Sequence, residues 1–198
     1  MRRRMILATA VLCLVAPGLL HAAPWEFDPA HTGVHFKVRH LMISSVRGEF
    51  EKVSGKIVYD EADVTKSTAD ITIDTGSINT RVAKRDEHLR SPDFLDVAKH
   101  PAITFKSKRV DKAGNGALKM TGDLTIRGVT KEIALTVEGP TPAIKDPMGY
   151  NRVGGQATTK INRKDFGLVW NAALETGGVV VGDEVEITID MEIYRKPG

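Results

Sequence analysis

The chain has 198 residues, 28 of them basic and 25 acidic, for a formal net charge of +3. Arg2, Arg3 and Arg4 precede an apolar run from Met5 to Leu20, so residues 1–22 read as a secretory leader cut after Ala22. Without that leader the basic and acidic side chains balance, and no Lys/Arg cluster is free of interleaved acids, which excludes a phosphate-neutralising nucleic-acid face.

The alternative for the leader is a retained anchor. The run is short and broken by Pro17-Gly18, so no stable membrane span is expected. Cys13, the only cysteine, lies inside this run, and Leu12 before it does not suit lipid attachment. Residues 23–198 therefore form one domain with neither disulfide nor thiolate chemistry, and about 176 residues suffice for an ordinary core.

Trp25 to Asp28 opens with alternation, and Pro29 to Gly33 turns. Val34, Phe36 and Val38 alternate with His35, Lys37 and Arg39, the period of a strand with one buried face. Continuing the phase puts His40 on the apolar side. Val46 to Tyr59 reads as one long strand or two, with Gly48 and Gly55 marking bulges or bends. Ala69, Ile71 and Ile73 form the next strand.

Thr80 to Pro101 lacks strand alternation and reads as two short helices. Helix formers fill Val82 to Arg90, with Asp86 placed four residues before Arg90 for an ion pair. Ser91-Pro92 ends that helix and can cap a second through Phe94, Leu95 and Val97, which Pro101 stops.

Ile103 and Phe105 resume the strand pattern, and Ala113-Gly114-Asn115-Gly116 marks a hairpin. Leu118, Met120, Leu124 and Ile126 share a face, with a bend expected at Gly122. Arg127-Gly128 is a tight turn before Ile133, Leu135 and Val137. Gly139 to Gly149 is irregular, Gln156 to Ile161 is another strand, and Asp165 to Trp170 is a turn carrying large apolar groups. Glu175 to Asp183 is a glycine-rich loop, and Val185 to Ile193 closes the chain with sustained alternation. About eight or nine closely spaced strands predict an all-β antiparallel sheet. A barrel removes its edges and holds one slender ligand, while periodicity alone leaves a sandwich open.

Chemistry-bearing patterns are sparse. His31 and His35 would stand about 13 Å apart on a strand, too far for one metal. No Gly-x-Ser-x-Gly, His-Glu-x-x-His or phosphate loop occurs, so neither a catalytic set nor a metal or cofactor site is expected. His40 on the buried phase is either a core histidine bonded to a carbonyl or a partner for the polar end of a ligand. Arg85 and Asp86 pose the same choice.

Several runs occur together and in order. They are Phe36-x-Val38-x-His40-Leu41, Val46-x-Gly48-x-Phe50, Thr80 with Arg85-Asp86-x-His88-Leu89, Ser91 to Asp96, and Pro101-x-Ile103-x-Phe105-x-Ser107. Gly122 to Lys131 and Ile161-Asn162-Arg163-x-Asp165-Phe166-Gly167-Leu168 complete the set. From Trp25 to Tyr194 the chain resembles the YceI-like family of exported lipid-binding proteins.

That resemblance implies a lipocalin-like antiparallel β-barrel with its helical insertion near the mouth, a periplasmic or secreted location, and no enzymatic activity. It also implies a cavity for a polyisoprenoid or other fatty amphiphile, for example an isoprenoid quinone, and members that are often homodimers. The expected ligand-binding residues are Phe36, Val38, His40, Leu41, Ile71, Ile73, Arg85, Leu89, Phe94, Phe105, Leu124, Ile126, Phe166, Trp170, Ile187 and Ile189. Two other classes remain open: an enzyme acting on such a lipid through His40 or Arg85-Asp86, and a filled structural or stress-response barrel with a protein partner.

Overall fold

The computed structural model describes residues 24–174 and 177–196. The expected leader, residues 1–22, and the first position of the glycine-rich loop, Glu175, lie outside the described residues. The strands are β1 (Glu26–Phe27), β2 (Gly33–His40), β3 (Ser44–Phe50), β4 (Val53–Val58), β5 (Thr68–Asp74), β6 (Ile78–Asn79), β7 (Ala102–Lys112), β8 (Leu118–Ile126), β9 (Val129–Glu138), β10 (Ile144–Lys145), β11 (Asn151–Asn162) and β12 (Val181–Arg195). One helix, α1 (Ala83–Arg90), interrupts them between β6 and β7.

All twelve segments belong to one antiparallel sheet, in the order β4-β5-β7-β8-β9-β11-β12-β2-β3-β6, with β1 on β12 and β10 on β11. The two ends of this order are halves of one bent ribbon. β4 pairs β5 from Val53↔Ile73 to Val58↔Thr68, and β3 pairs β6 through Phe50↔Ile78 and Glu49↔Asn79. Across the break, Glu51 N–H donates to the Ser77 carbonyl and Asp74 N–H to that of Lys52. The ladder thus curls back on itself rather than stacking as two sheets.

The segment count exceeds the expected eight or nine for identifiable reasons. β1 and β10 are two-residue additions, and the β3/β4 and β5/β6 ribbon is split by Thr75–Ser77, a 3₁₀ turn. Pairing also lapses between β9 and β11, which bond only from Gln156↔Glu138 to Thr158↔Thr136. Toward α1 that seam is bridged by the Thr159 hydroxyl on the Ala134 carbonyl, 2.9 Å, and packed by the 3₁₀ turn Arg163–Phe166.

The expected second helix does not form. Ser91 takes two N–H groups on its carbonyl, from Phe94 and Asp96, and Asp96 adopts φ 47°, a left-handed conformation that stops helix propagation. The expected Asp86–Arg90 pair is also absent, because Arg90 donates to the Gly76 and Ile78 carbonyls and Asp86 turns to Thr80.

Glycine placement departs from the bends read in sequence. The register is regular through Gly48 and Gly55, and their missing side chains make room for the Phe36 ring and the Asp70 carbonyl instead. Gly122 does lie beside an irregularity, since β7 shifts register between Ser107 and Arg109 opposite it. At Arg127-Gly128, φ values of 50° and 75° give the two-residue turn that suits a twisted hairpin.

A Cβ on Gly122 would fall 2.5 Å from the Lys106 carbonyl oxygen, a backbone atom held in the ladder. Gly122→Ala is therefore expected to destabilise the fold by about 1–3 kcal/mol, read as a lower denaturation midpoint in urea.

Candidate functional site

The inward side chains do not meet across the centre. They enclose a cavity of about 200 Å³ into which no polar surface faces. Val34, Phe36 and Val38 of β2, Ile71 and Ile73 of β5, and Ile103 and Phe105 of β7 form part of the wall. Leu124 and Ile126 of β8, Ile133 and Leu135 of β9, and Val185, Ile187 and Ile189 of β12 complete most of it. Each set comes from alternate positions, so the pleat alone directs these groups inward.

The two ends of the cavity differ. Away from α1, Trp25, Ile57, Ala69, Val153 and Ile193 form a separate buried cluster that seals the floor. At the other end, Leu89 of α1 with Phe94 and Leu95 of the following turn line the cavity, as Leu168 does from the segment before β12. Trp170 packs tilted against Phe94 and edge-to-face against His88, with ring centroids 5.2 and 4.9 Å apart. His88 in turn bonds Asp93 at 2.9 Å.

Polar groups on lining residues are bonded within the protein or turned away from the cavity. His35 turns toward Glu49 and Asp190, at 3.5 and 3.8 Å, and the Thr32 hydroxyl accepts from Glu192 N–H. Arg163 is 4 % exposed. Its Nε donates to the Gly182 carbonyl, Nη1 to those of Leu168 and Trp170, and Nη2 to Val181 and the Asp183 carboxylate. Those five bonds use every donor of a guanidinium. Burial pushes the Arg163 pKa down, against the pull of Asp183, while a guanidinium remains cationic.

Of the sixteen residues expected from sequence, eleven line this cavity: Phe36, Val38, Ile71, Ile73, Leu89, Phe94, Phe105, Leu124, Ile126, Ile187 and Ile189. Five stand elsewhere. His40 lies at the last position of β2, where the β2–β12 register shifts between Val181 and Val185, and it is half-buried at the β2–β3 turn. Leu41 is in that turn with φ 51°, its N–H on the Val180 carbonyl. Phe166 is 2 % exposed in the solid core beside the β9–β11 seam. Trp170 packs outside Phe94, over the mouth.

Arg85 belongs to a clasp instead. Its Nε and Nη2 donate to the Thr80 hydroxyl and carbonyl, while that hydroxyl and the Thr80 N–H donate to the buried Asp86 carboxylate. The clasp pins the start of α1 to the end of β6.

Sequence reasoning missed Val34, Ile103 and Val185, which share the phase of residues it chose, and Ile133 and Leu135 of β9, a strand from which it chose none. It also missed Arg163, whose signal was a cation two positions after Ile161 on an apolar phase.

Asp28, His31 and Glu192 bring potential metal-ligand atoms together on the floor side. The Arg152 guanidinium already lies among them, with Nη1 2.7 Å from Asp28 and 2.5 Å from Glu192, and Nε on Asp146. This reads as an ion-pair knot tying the N-terminal turn to the β10–β11 loop and β12. Burial raises Asp28, but hydrogen bonds from His31 and Arg152 outweigh it and hold the carboxyl at about 2.

These features define an antiparallel β protein with an apolar internal cavity. The YceI-like domain model matches residues 25–193, and the chain belongs to that family. A UPF0312 protein of Vibrio cholerae is 38% identical over 169 residues, covering 84% of this chain and 89% of its own. The crystal structure of the Campylobacter jejuni YCEI protein is 37% identical, with TM-score 0.68 over 86% of this chain and 96% of that one. A polyisoprenoid binding domain from Saccharophagus degradans shares the fold, at 18% identity and TM-score 0.62 over 88% and 99% of the two chains.

Two outcomes follow for stability. Thr80→Val keeps the shape but removes the hydroxyl from the Asp86 carboxylate, so a loss of about 1–3 kcal/mol is expected in chemical denaturation. Asp28 has its pKa depressed on folding, so it contributes stability above its ordinary value of 3.8 that disappears as pH falls through about 2. Melting temperature should therefore drop less steeply between pH 4 and 2 in Asp28→Asn than in the parent protein.

Proposed function

We propose that this is an exported, non-enzymatic protein that holds a polyisoprenoid or similar long-chain amphiphile in its cavity for transport or storage. The observation that carries the reading is the apolar wall, into which no polar surface faces. Such a wall stabilises hydrocarbon at about 0.8 kcal/mol per buried methylene before ordering costs, and it supplies no group for bond-making chemistry. Membership of the YceI-like family and the polyisoprenoid binding named for the Saccharophagus degradans domain support this choice of ligand. The leader read in residues 1–22 supports export to the periplasm.

The bonded state of Arg163 and Thr159, and the turn of His35 toward outer carboxylates, bear on selectivity. A polar head drawn inside would lose its water and find no free partner, so the head group stays at the mouth. Length and branching of the tail, rather than head-group identity, then set affinity.

Mass spectrometry of organic extracts from protein purified out of its native host should reveal a long-chain species. Repeated recovery of none would sink the reading. Ile187→Trp, which fills the cavity from the middle of β12, should weaken binding of cis-parinaric acid by at least about tenfold, since several methylenes lose their space. Its denaturation midpoint should change little, because the indole enters a void rather than a packed core.

A further inference from the structure

We propose that the rim around the α1 end of the cavity is a docking surface for an anionic lipid bilayer. The idea rests on the hydrocarbon-binding reading for its purpose, though not for its geometry. Four large apolar side chains stand in water on the segments framing that end: Met42 and Ile43 of the β2–β3 turn, Val82 before α1, and Val169 beside Trp170. Ile43 is 80% exposed and Val169 64%, so burial in an acyl layer would cover most of each side chain.

Their placement is fixed. The Leu41 N–H bonds the Val180 carbonyl, which holds the β2–β3 turn against the segment leading into β12. Arg163 gathers the Leu168 and Trp170 carbonyls to those of Val181 and Gly182, and Trp170 touches His88 of α1. The rim is therefore one continuous edge rather than scattered residues on moving loops.

Charge selects the occupant. The apolar groups lie beside exposed Arg39, Arg81 and Lys84; among the described residues none of these three forms an ion pair, although Arg39 and Met42 share a surface depression with Asp183, Glu184 and Glu186. Arg39 donates to the Met42 carbonyl, fixing a cation at the base of the turn. Cations beside exposed aliphatic side chains suit the boundary between acyl chains and anionic head groups. A protein partner would need no such mixture at the end where the cavity opens. The opposite end also exposes Ile144 and Met148, but there the Trp25 cluster closes the interior.

The test uses the chain from Ala23 onward, which retains every strand and omits the apolar leader. Flotation with vesicles of phosphatidylethanolamine and phosphatidylglycerol, against phosphatidylcholine alone, reads docking, and cis-parinaric acid fluorescence reads the cavity. The parent protein should float preferentially with the anionic vesicles. Ile43→Ser/Val169→Ser should need about tenfold more lipid, for the loss of two exposed aliphatic contacts. Arg81→Gln/Lys84→Gln should lose the preference for anionic vesicles, while Ile144→Ser/Met148→Ser should behave as the parent.

Failure of the parent to float while it still binds cis-parinaric acid would overturn docking and leave the ligand reading intact. So would unchanged flotation of the rim variant, or equal loss in the Ile144/Met148 variant. Flotation that follows the rim without any cavity fluorescence would support docking and remove the ligand reading.

Discussion

A hollow sheet gives up the dispersion energy that opposed side chains would supply across its middle, so its shape has to be secured at its ends. In this chain much of that work falls to arginines. Arg90 spans the Gly76 and Ile78 carbonyls, Arg127 ties Pro92 and Phe94 to Gly167, and Arg163 binds four carbonyls and one carboxylate. Arg152 plays the corresponding part on the floor with three carboxylates. A rigid planar donor that serves several acceptors at once fastens segments distant in sequence without filling the space between them. Lysine, a single point charge on a flexible stem, could not hold the same set.

The two ends are built by different means. The floor combines aromatic and aliphatic packing with cation–π contacts, Arg195 lying 4.7 Å over the Trp25 ring. The mouth relies on bonds from side chains to loop carbonyls, with one short helix laid over the opening. Packing of the first kind gives way only with the whole sheet, whereas polar ties to loops can exchange with water one at a time. The contrast assigns permanence to one end and exchange to the other.

Much of this could be read in the residues. Val34, Phe36 and Val38, like Val185, Ile187 and Ile189, show their inward face because a strand's period is fixed by the pleat. Family membership rested on short runs such as Ser91 to Asp96, whose residues the structure places in turns. Less legible were features that depend on a partner strand. Nothing local to Glu51-Lys52 signals that β3 and β4 separate there, since the cause is the extra length of Thr75–Ser77 across the ladder. The second helix failed at Asp96, where a left-handed turn outweighed a plausible cap. His40 was assigned by extending an alternation into the register shift that ends it. Arg85 stays open between a structural bond and a ligand contact in the sequence, because Thr80, its acceptor, carries no charge to mark the pairing.

The seam between β9 and β11 gives this fold a soft direction. Around most of the rest of the wall, apart from the two-residue β3–β6 pairing beside α1, neighbouring strands are joined by rows of amide hydrogen bonds, which resist widening. Along the upper part of the seam, a threonine hydroxyl and the flank of a phenylalanine stand in for those rows. Elastic strain from an oversized guest would therefore concentrate there, and the wall would yield as an ellipse, not a circle.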